Sequence, residues 1–385
     1  MIDLKDKTEC CGCHACFNVC PTGAIKMQED EKGFKYPVID KSKCINCGLC
    51  EKVCPIKNNR KVENNPIAYA CFNKDNDIRK KSSSGGIFTL LAYYIINAGG
   101  IVYGAAFDED FNVKHIKVEN IEDLEKLRGS KYVQSSIGET YKQAKENLNK
   151  GIKVLFTGTP CQIEGLKLYL QKDYDNLYTQ DIICHGVPSP IVWKKYKEYR
   201  KKKDREEPLD ISFRNKDNGW SHFNTLFQYK NKQYKKTQYE DLFMNVFLQN
   251  ISLRDSCYAC SFKKYNRNSD ITLADFWGIN NIIPKMNDDK GTSLVVINSE
   301  KGKKIFEEIS KNIEYKEIDL DNAIKYNSAM IKSVPENSNR EKFFNDLEYD
   351  EFDVVAKRYI KKPSLVRKVL GKIKRMIKNR LKAKS

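Results

Sequence analysis

The chain has 385 residues, 31% of them charged, and a formal net charge of +17. At this length we expect more than one folding unit, a small module beside a larger core. The positive charge is concentrated in residues 356–385, which hold 13 Lys or Arg and no Asp or Glu, so the remainder carries only +4 and lacks the composition of a nucleic-acid-binding body.

Two cysteine runs dominate the first 60 residues. Each reads Cys-x2-Cys-x2-Cys-x3-Cys-Pro, a spacing in which three thiolates hold one iron-sulfur cluster while the fourth serves the other. A disulfide scaffold or a structural zinc site is the alternative, but neither explains two copies of a run closed by proline. We therefore predict a bacterial ferredoxin-type domain over residues 1–60 with two 4Fe-4S clusters. The expected ligand sets are crossed: Cys10, Cys13, Cys16 and Cys54 for one cluster, and Cys20, Cys44, Cys47 and Cys50 for the other.

An uncharged stretch of 21 residues, 87–107, is long enough to suggest a membrane span. Asn97, Gly99 and Gly100 interrupt it. We interpret it as a buried helix and a buried strand joined by a Gly-Gly C-cap. The polar start of the chain does not resemble a signal peptide, and open thiolates suit a reducing compartment, so we expect a cytoplasmic protein.

The rest of the core alternates strands and helices, which favours an α/β (α+β) fold with a mixed, partly parallel sheet. We divide it into residues 66–150 and 151–340. The predicted strands cover 67–72, 101–107, 113–118, 153–156, 178–183, 209–214, 225–229, 271–274 and 294–297. The predicted helices cover 86–98, 137–149, 163–170, 191–202, 240–250 and 302–310.

Four more cysteines lie in the core: Cys161, Cys184, Cys257 and Cys260. The first two each follow a predicted strand, where α/β sheets place their functional loops, and a Cys-x-x-Cys pair could complete a metal site with them. An iron-sulfur cluster, a zinc ion, a redox disulfide and ordinary buried cysteines all remain open at this stage. Cys11 and Cys71 fit no pattern, and we interpret them as plain small residues.

The core resembles the beta subunits of coenzyme F-420 hydrogenases and dehydrogenases over residues 67–297. The resemblance is carried by SSSGGIFTLLAY, GSKYVQS, GTPCQ, CHGVPS and CYACSFKKYNRNSDITLADFWG, in that order. Members of this family look like flavoproteins that bind FAD beside a 4Fe-4S cluster, and in many a two-cluster segment precedes the core. The resemblance thus implies a flavoprotein core in which Cys161, Cys184, Cys257 and Cys260 hold a third 4Fe-4S cluster.

Two loops are candidate flavin contacts. Ser83, Ser84, Gly85 and Gly86 stand just before an apolar helix, whose unpaired N–H groups attract phosphate, although the pattern taken alone favours an ordinary serine N-cap. Gly129, Ser130, Lys131 and Tyr132 offer one cation and two hydroxyls. We assign no catalytic role to His185, which follows Cys184, and we expect Asp275 and Trp277 to shape the cofactor pocket or the core.

The basic tail, residues 356–385, has one apolar stripe at four-residue spacing, formed by Leu365, Val369, Ile373, Ile377 and Leu381. Lys and Arg surround this stripe, a pattern typical of an amphipathic helix at an anionic membrane surface. A partner-binding helix, a solvated tail and an RNA-binding arm are the alternatives. No aromatic residue lies on the basic face, so we expect no nucleic-acid partner.

The sequence as a whole predicts an iron-sulfur flavoprotein oxidoreductase that passes electrons between 4Fe-4S clusters and FAD, to or from a hydride-exchanging substrate. Its partners would be a redox protein or a reduced cofactor, together with a small-molecule or lipid-linked substrate, with surface-polysaccharide biosynthesis as one setting. The location would be the cytoplasm, with the tail as a peripheral contact to the inner face of the membrane. The alternative is an electron-transfer subunit or scaffold that docks a partner enzyme and has no substrate of its own.

Overall fold

The computed structural model describes residues 2–59 and 61–361. Within this part of the chain the strands are β1 (Ile25–Glu29), β2 (Lys35–Ile39), β3 (Ile67–Asn73), β4 (Ile101–Phe107), β5 (Val113–Val118), β6 (Val154–Thr157), β7 (Leu177–Ile182), β8 (Asp210–Asn215), β9 (Asn224–Gln228), β10 (Gln233–Thr237), β11 (Ile271–Asp275), β12 (Ser293–Ile297) and β13 (Ile313–Ile318). The helices are α1 (Ala15–Val19), α2 (Leu49–Lys52), α3 (Asn76–Lys81), α4 (Ile87–Asn97), α5 (Thr140–Asn149), α6 (Pro160–Leu170), α7 (Pro190–Asp204), α8 (Leu242–Leu248), α9 (Ile279–Ile282), α10 (Glu300–Ile309), α11 (Leu320–Ile324), α12 (Arg340–Tyr349) and α13 (Phe352–Tyr359).

An eight-stranded sheet forms the centre of the fold, with the strand order β13-β3-β12-β11-β7-β6-β4-β5. The four neighbours β11, β7, β6 and β4 run parallel, and the outer strands pair antiparallel. The predicted mixed α/β sheet is therefore confirmed. Strands from residues 66–150 and 151–340 interleave in this one sheet, so the two segments fold together.

The apolar stretch at 87–107 is divided between α4 and β4. Gly99, with a φ of +70°, ends the helix in the left-handed conformation that glycine adopts freely. No helix among the described residues is both long and apolar enough to cross a membrane. The predicted cytoplasmic location and membrane contact stay predictions.

Two smaller elements flank the sheet. The hairpin of β1 and β2 belongs to the N-terminal segment with the two cysteine runs, and β8, β9 and β10 form a separate three-stranded antiparallel sheet. An aromatic cluster joins the latter to the rest of the protein, because Trp193 of α7 packs against Phe213, Phe227 and Phe243. Helices α12 and α13 pack on the same cluster.

The predicted basic tail begins at residue 356, within what the structure shows as α13. Ala356 is buried, so this part of the segment packs on the core. The predicted amphipathic stripe, from Leu365 onward, lies outside the described residues.

A buried ion pair holds the middle of the sheet. Asp181 of β7 and Arg267, just before β11, are 3.1 Å apart with side chains that are each 2% exposed. Thr272 donates a further hydrogen bond to the same carboxylate at 2.5 Å. Burial raises the pKa of Asp181, so the carboxylate depends on these partners to stay ionised.

The substitution Arg267→Met should lower the free energy of unfolding by about 3–5 kcal/mol, because it leaves Asp181 buried without its cation. Urea unfolding of the full chain under anaerobic conditions measures this change. The matched control is Lys81→Met, which removes a pair with Glu125 whose side chains are 61% and 59% exposed, and which should cost at most about 1 kcal/mol. Equal losses for the two variants would contradict this account of the sheet.

Candidate functional site

A cavity of about 700 Å³ opens beside the carboxyl ends of β6 and β7. Its volume falls in the range of cofactor and small-molecule sites, and its place follows the rule for parallel sheets. It brings together most of the predicted flavin contacts and two of the core cysteines. Those lining it are Ser83, Ser84, Gly86, Gly129, Ser130, Lys131, Tyr132, Cys161 and Cys184.

The N-terminus of α4 forms one wall of the cavity. Gly86, at φ +82°, precedes the first turn, and none of the described side chains caps this helix. Ser82 and Ser84 donate their hydroxyls to carbonyl groups at 2.7 and 3.0 Å, so the serine N-cap alternative is wrong. Gly85 donates its N–H to a serine hydroxyl at 2.9 Å. The N–H groups of the first turn therefore remain available to an anionic ligand.

The second predicted loop joins the first but does not present its cation. Ser130 donates its hydroxyl to Ser83 at 2.8 Å. The ammonium of Lys131 donates to the carbonyls of Lys126 and Arg128, both at 2.8 Å, and burial lowers the pKa of Lys131 to about 7. Lys131 is therefore not free to bind phosphate as a cation, contrary to the prediction.

Sequence reasoning missed Arg214, which lies at the end of β8 and is fully buried in the cavity wall. Its guanidinium makes two 2.8 Å bonds to Asp275, and it donates to the carbonyl of Ser83 at 3.1 Å and to the hydroxyl of Tyr132 at 3.3 Å. Its Nε is buried without a hydrogen-bond partner among the described atoms. Arg214 thus ties both predicted flavin-contact loops to β11.

Asp275 and Trp277 shape the cavity, one of the two places predicted for them. Asp275 also accepts a 2.6 Å hydrogen bond from the indole of Trp220. The rings of Trp220 and Trp277 stack with centroids 5.0 Å apart, and Trp277 is 37% exposed at the cavity. The wall near Arg214 therefore offers an aromatic face beside a cation.

Two histidines also line the cavity. His185 contacts Asn250 through Nε2 at 2.7 Å, and burial lowers its pKa. His115, which sequence reasoning missed, lies between the hydroxyl of Ser135, at 2.7 Å, and the carbonyl of Thr157, at 2.9 Å. Burial lowers the pKa of His115 to about 4, so its neutral ring donates from Nε2 to the carbonyl and accepts at Nδ1.

The four core cysteines lie close to one another, and two of them, Cys161 and Cys184, line this cavity. Cys161 is the second residue of α6 and contacts the hydroxyl of Thr159 at 3.1 Å, and Cys184 follows β7. Burial raises the pKa of the Cys257 thiol, and the other three core thiols raise it further. Mutual electrostatic effects of this kind require proximity, so the structure brings the four predicted ligands together.

The donor set, four thiols, is one that a 4Fe-4S cluster uses. Among the residues that the structure describes, no three His, Cys, Asp or Glu side chains converge closely enough to hold one metal ion. Four thiolates on a 4Fe-4S cluster each bind a different iron, so they stand further apart than the ligands of one zinc. All four core cysteines are free thiols. A 4Fe-4S cluster is the group that these residues suit.

The N-terminal thiols lie near one another. A small cavity is lined by Cys20, Cys44, Cys47 and Cys50. Burial raises the pKa of Cys16, and the thiols of Cys10, Cys54 and Cys50 raise it further. Cys50 thus lies near members of both predicted ligand sets, and the crossed sets stay a prediction.

The first cysteine run packs directly against the core. A Cβ atom placed on Gly165 of α6 would lie only 2.9 Å from the sulfur of Cys13, so glycine is needed for this approach. Hydrogen bonding with Cys11 raises the pKa of the Cys161 thiol. Cys11, interpreted from the sequence as a plain small residue, therefore lies between a ligand of the first run and a ligand of the core.

Comparisons with known proteins match three segments of the chain. A model of the N-terminal region of the coenzyme F420 hydrogenase/dehydrogenase beta subunit matches residues 68–141, and a model of the C-terminal region matches residues 151–322. The chain belongs to the family of coenzyme F420 hydrogenase/dehydrogenase beta subunits. A model of the 4Fe-4S dicluster domain matches residues 9–58 of this family member. The resemblance and the ferredoxin-type segment are both confirmed.

Two relatives place this match in context. A subunit of the F(420)H(2) dehydrogenase of Methanosarcina mazei is 26% identical over 173 residues, which are 41% of this chain and 48% of the relative. The chain therefore spans about half the length of the curated relative it matches. A chain from the F420-reducing [NiFe] hydrogenase complex of Methanosarcina barkeri is 19% identical, with a TM-score of 0.48, and the alignment covers 75% of this chain and 94% of that chain. Neither relative's name mentions a lipid-linked sugar, and that expectation gains no support.

Replacing a core ligand of this beta-subunit homologue should remove one cluster. We expect Cys184→Ala to lose about four irons per chain after anaerobic reconstitution, because a 4Fe-4S cluster needs its four thiolates. The matched control is Cys71→Ala, since Cys71 is a fully buried cysteine of β3 outside all three predicted ligand sets. Full iron content in Cys184→Ala would contradict the core cluster.

Proposed function

We propose that this chain is an iron-sulfur electron-transfer subunit that works with a partner protein. The observation that carries the proposal is the contact of the first cysteine run with α6, whose first turn contains the predicted core ligand Cys161. This contact leads from a ferredoxin-type segment to a cavity of about 700 Å³. The name of the curated relative, a dehydrogenase subunit, supports a role within a complex.

The partner should dock at the second cysteine run. Cys47 is exposed and Cys44 is half-buried, whereas Cys13 and Cys16 are buried. Between the two outer cysteines Ile45 is 65% exposed, and it provides an apolar contact at the edge of the site. Electrons pass between proteins only at close approach, so this edge is the natural point of exchange.

The ligands of the first run would connect this edge to the core. Cys16 and Cys54 lie among the apolar residues of the N-terminal segment, and Cys50 of the second run packs in the same group. Cys13 then contacts α6. The predicted cluster sites thus form a series of three, from the surface to the cavity.

We further propose that the cavity binds a flavin, with FAD as the candidate. A bound flavin would supply the conversion between single-electron transfer and hydride transfer. The N-terminus of α4 would hold its phosphates, since these N–H groups carry the positive end of the helix dipole. The guanidinium of Arg214 would neutralise negative charge on the bound flavin, and the ring of Trp277 would pack against one face of the flavin ring.

The stoichiometry of the bound groups tests this proposal. Anaerobic purification and reconstitution should give about twelve irons, from three four-iron clusters, and one flavin per chain. Iron and sulfide analysis, flavin fluorescence after denaturation and absorbance measure these contents. Reduced F420, reduced nicotinamide and reduced ferredoxin are then compared as reductants. Twelve irons without flavin would leave an electron-transfer subunit with no substrate of its own, and eight irons would remove the core cluster.

Arg214→Gln should weaken FAD binding at least about tenfold, because the substitution removes the buried partner of Asp275 and loosens both loops on the cavity wall. Titration of the deflavinated, iron-loaded chain with FAD measures the dissociation constant. The control is Arg200→Gln, since Arg200 is also buried and paired, with Asp204, at the far end of α7. Unchanged FAD affinity in Arg214→Gln with full iron content would rule out this placement of the flavin.

A further inference from the structure

Arg254 is the buried arginine whose charge the fold leaves without a carboxylate. Six arginines are buried in the part of the chain that the structure describes. Five form ion pairs, and these are Arg79 with Asp288, Arg200 with Asp204, Arg214 with Asp275, Arg267 with Asp181 and Arg340 with Asp255. Arg254, with 0% of its surface exposed, contacts only neutral acceptors.

The guanidinium of Arg254 is held in one orientation by these acceptors. Its Nε donates to the carbonyl of Cys10 at 2.7 Å, one Nη donates to the carbonyl of Lys35 at 3.0 Å, and the other donates to the side-chain oxygen of Gln134 at 3.1 Å. It also lies over the ring of Tyr36, 4.1 Å from the centroid. Its position is therefore fixed by groups from separate segments of the chain.

The first cysteine run wraps closely around this cation. A Cβ atom placed on Gly12, whose φ is +70°, would lie 3.0 Å from an Nη of Arg254 and 2.5 Å from the amide of Gln134. On its other side Arg254 precedes Cys257 by three residues, and the two are joined through a backbone hydrogen bond from Cys257 to the Arg254 carbonyl at 2.9 Å. Arg254 thus lies between a ligand-bearing loop of the N-terminal segment and a ligand-bearing turn of the core.

A buried unpaired cation costs several kcal/mol unless a negative charge compensates it. The acidic groups around the guanidinium are those of Cys10, Tyr36, Cys11 and Cys257. Three of these four groups are thiols, and two of the three are predicted cluster ligands. Cluster-bound thiolates are the anions that would compensate this cation.

We propose that Arg254 is the shared counter-charge of two iron-sulfur clusters, the one held by the first cysteine run and the one held in the core. The proposal rests on the cluster positions given under the proposed function. Each electron added to a cluster places negative charge in a low-dielectric interior, where a fixed cation stabilises the reduced form. Arginine keeps its charge at every accessible pH, so it raises the reduction potentials of both clusters together.

Three variants of the full, anaerobically reconstituted chain test this role. Arg254→Gln removes the charge, Arg254→Lys keeps it, and Gln134→Glu leaves Arg254 in place but puts a carboxylate against it. Gln134→Glu preserves the shape of the site, so it tests the same role if Arg254→Gln does not take up iron. Arg200→Gln is the control for loss of a buried arginine, since its ion pair lies on α7. Midpoint potentials are measured by redox titration followed by electron paramagnetic resonance.

We expect Arg254→Gln and Gln134→Glu to lower the equilibrium constant for one-electron reduction at least about tenfold at both clusters, a shift of about 59 mV to lower potential. Arg254→Lys should lie nearer the wild-type values, and the exposed cluster of the second run should change least. Iron-loaded variants with wild-type potentials, or a shift at one cluster only, would overturn the proposal. A wild-type chain with only eight irons would instead refute the proposed core cluster.

Discussion

The contact between Gly165 and Cys13 is the constraint on which the site depends. A side chain at residue 165 would meet the sulfur of Cys13, so the absence of a Cβ lets α6 approach the first cysteine run at van der Waals distance. This approach brings Cys11 against Cys161 at the start of the same helix. Two segments that could otherwise fold as independent units thereby share one buried group of thiols.

The cavity is built from loops that have no hydrophobic core of their own. Ser83 and Ser84 belong to the loop before α4, Ser130 and Tyr132 to the loop after β5, and Arg214 connects them to the sheet through Asp275. Because an unpaired polar group in this interior would cost free energy, each connection constrains the others. The result is a rigid wall with one aromatic face and one helix N-terminus, a combination suited to a planar cofactor that carries phosphates.

Much of the central sheet could be predicted from the sequence, because β4, β6 and β12 are short apolar runs bounded by turns, and the helices between them have clear apolar faces. The edge strands β10 and β13 were missed. Their sequences, QYKKT and IEYKEI, are mostly polar, and β13 becomes a strand because β3 offers it a pairing edge. Helices α12 and α13 were also missed, since their buried side chains face aromatic residues far away in sequence.

The candidate ligands could be predicted from cysteine spacing alone, whereas the residues that surround them could not. Regular cysteine intervals indicate that a short segment of the chain can surround a cluster. The models of the dicluster domain and the beta subunit match the same segments. Arg214 and Arg254 carry no local signal, because their partners lie 61 residues away at Asp275 and 244 residues away at Cys10. Only the folded arrangement separates the buried, described arginines that have carboxylate partners from Arg254, which has none.

Two cluster sites of the N-terminal segment and one of the core should form a single series that ends at the cavity. Anomalous diffraction at the iron edge, from crystals of the full chain grown without oxygen, tests it most directly. The account predicts three iron centres, with the innermost among Cys161, Cys184, Cys257 and Cys260 and its neighbour across Gly165 beside Cys13. Two centres confined to the N-terminal segment, with no iron at the four core cysteines, would contradict it.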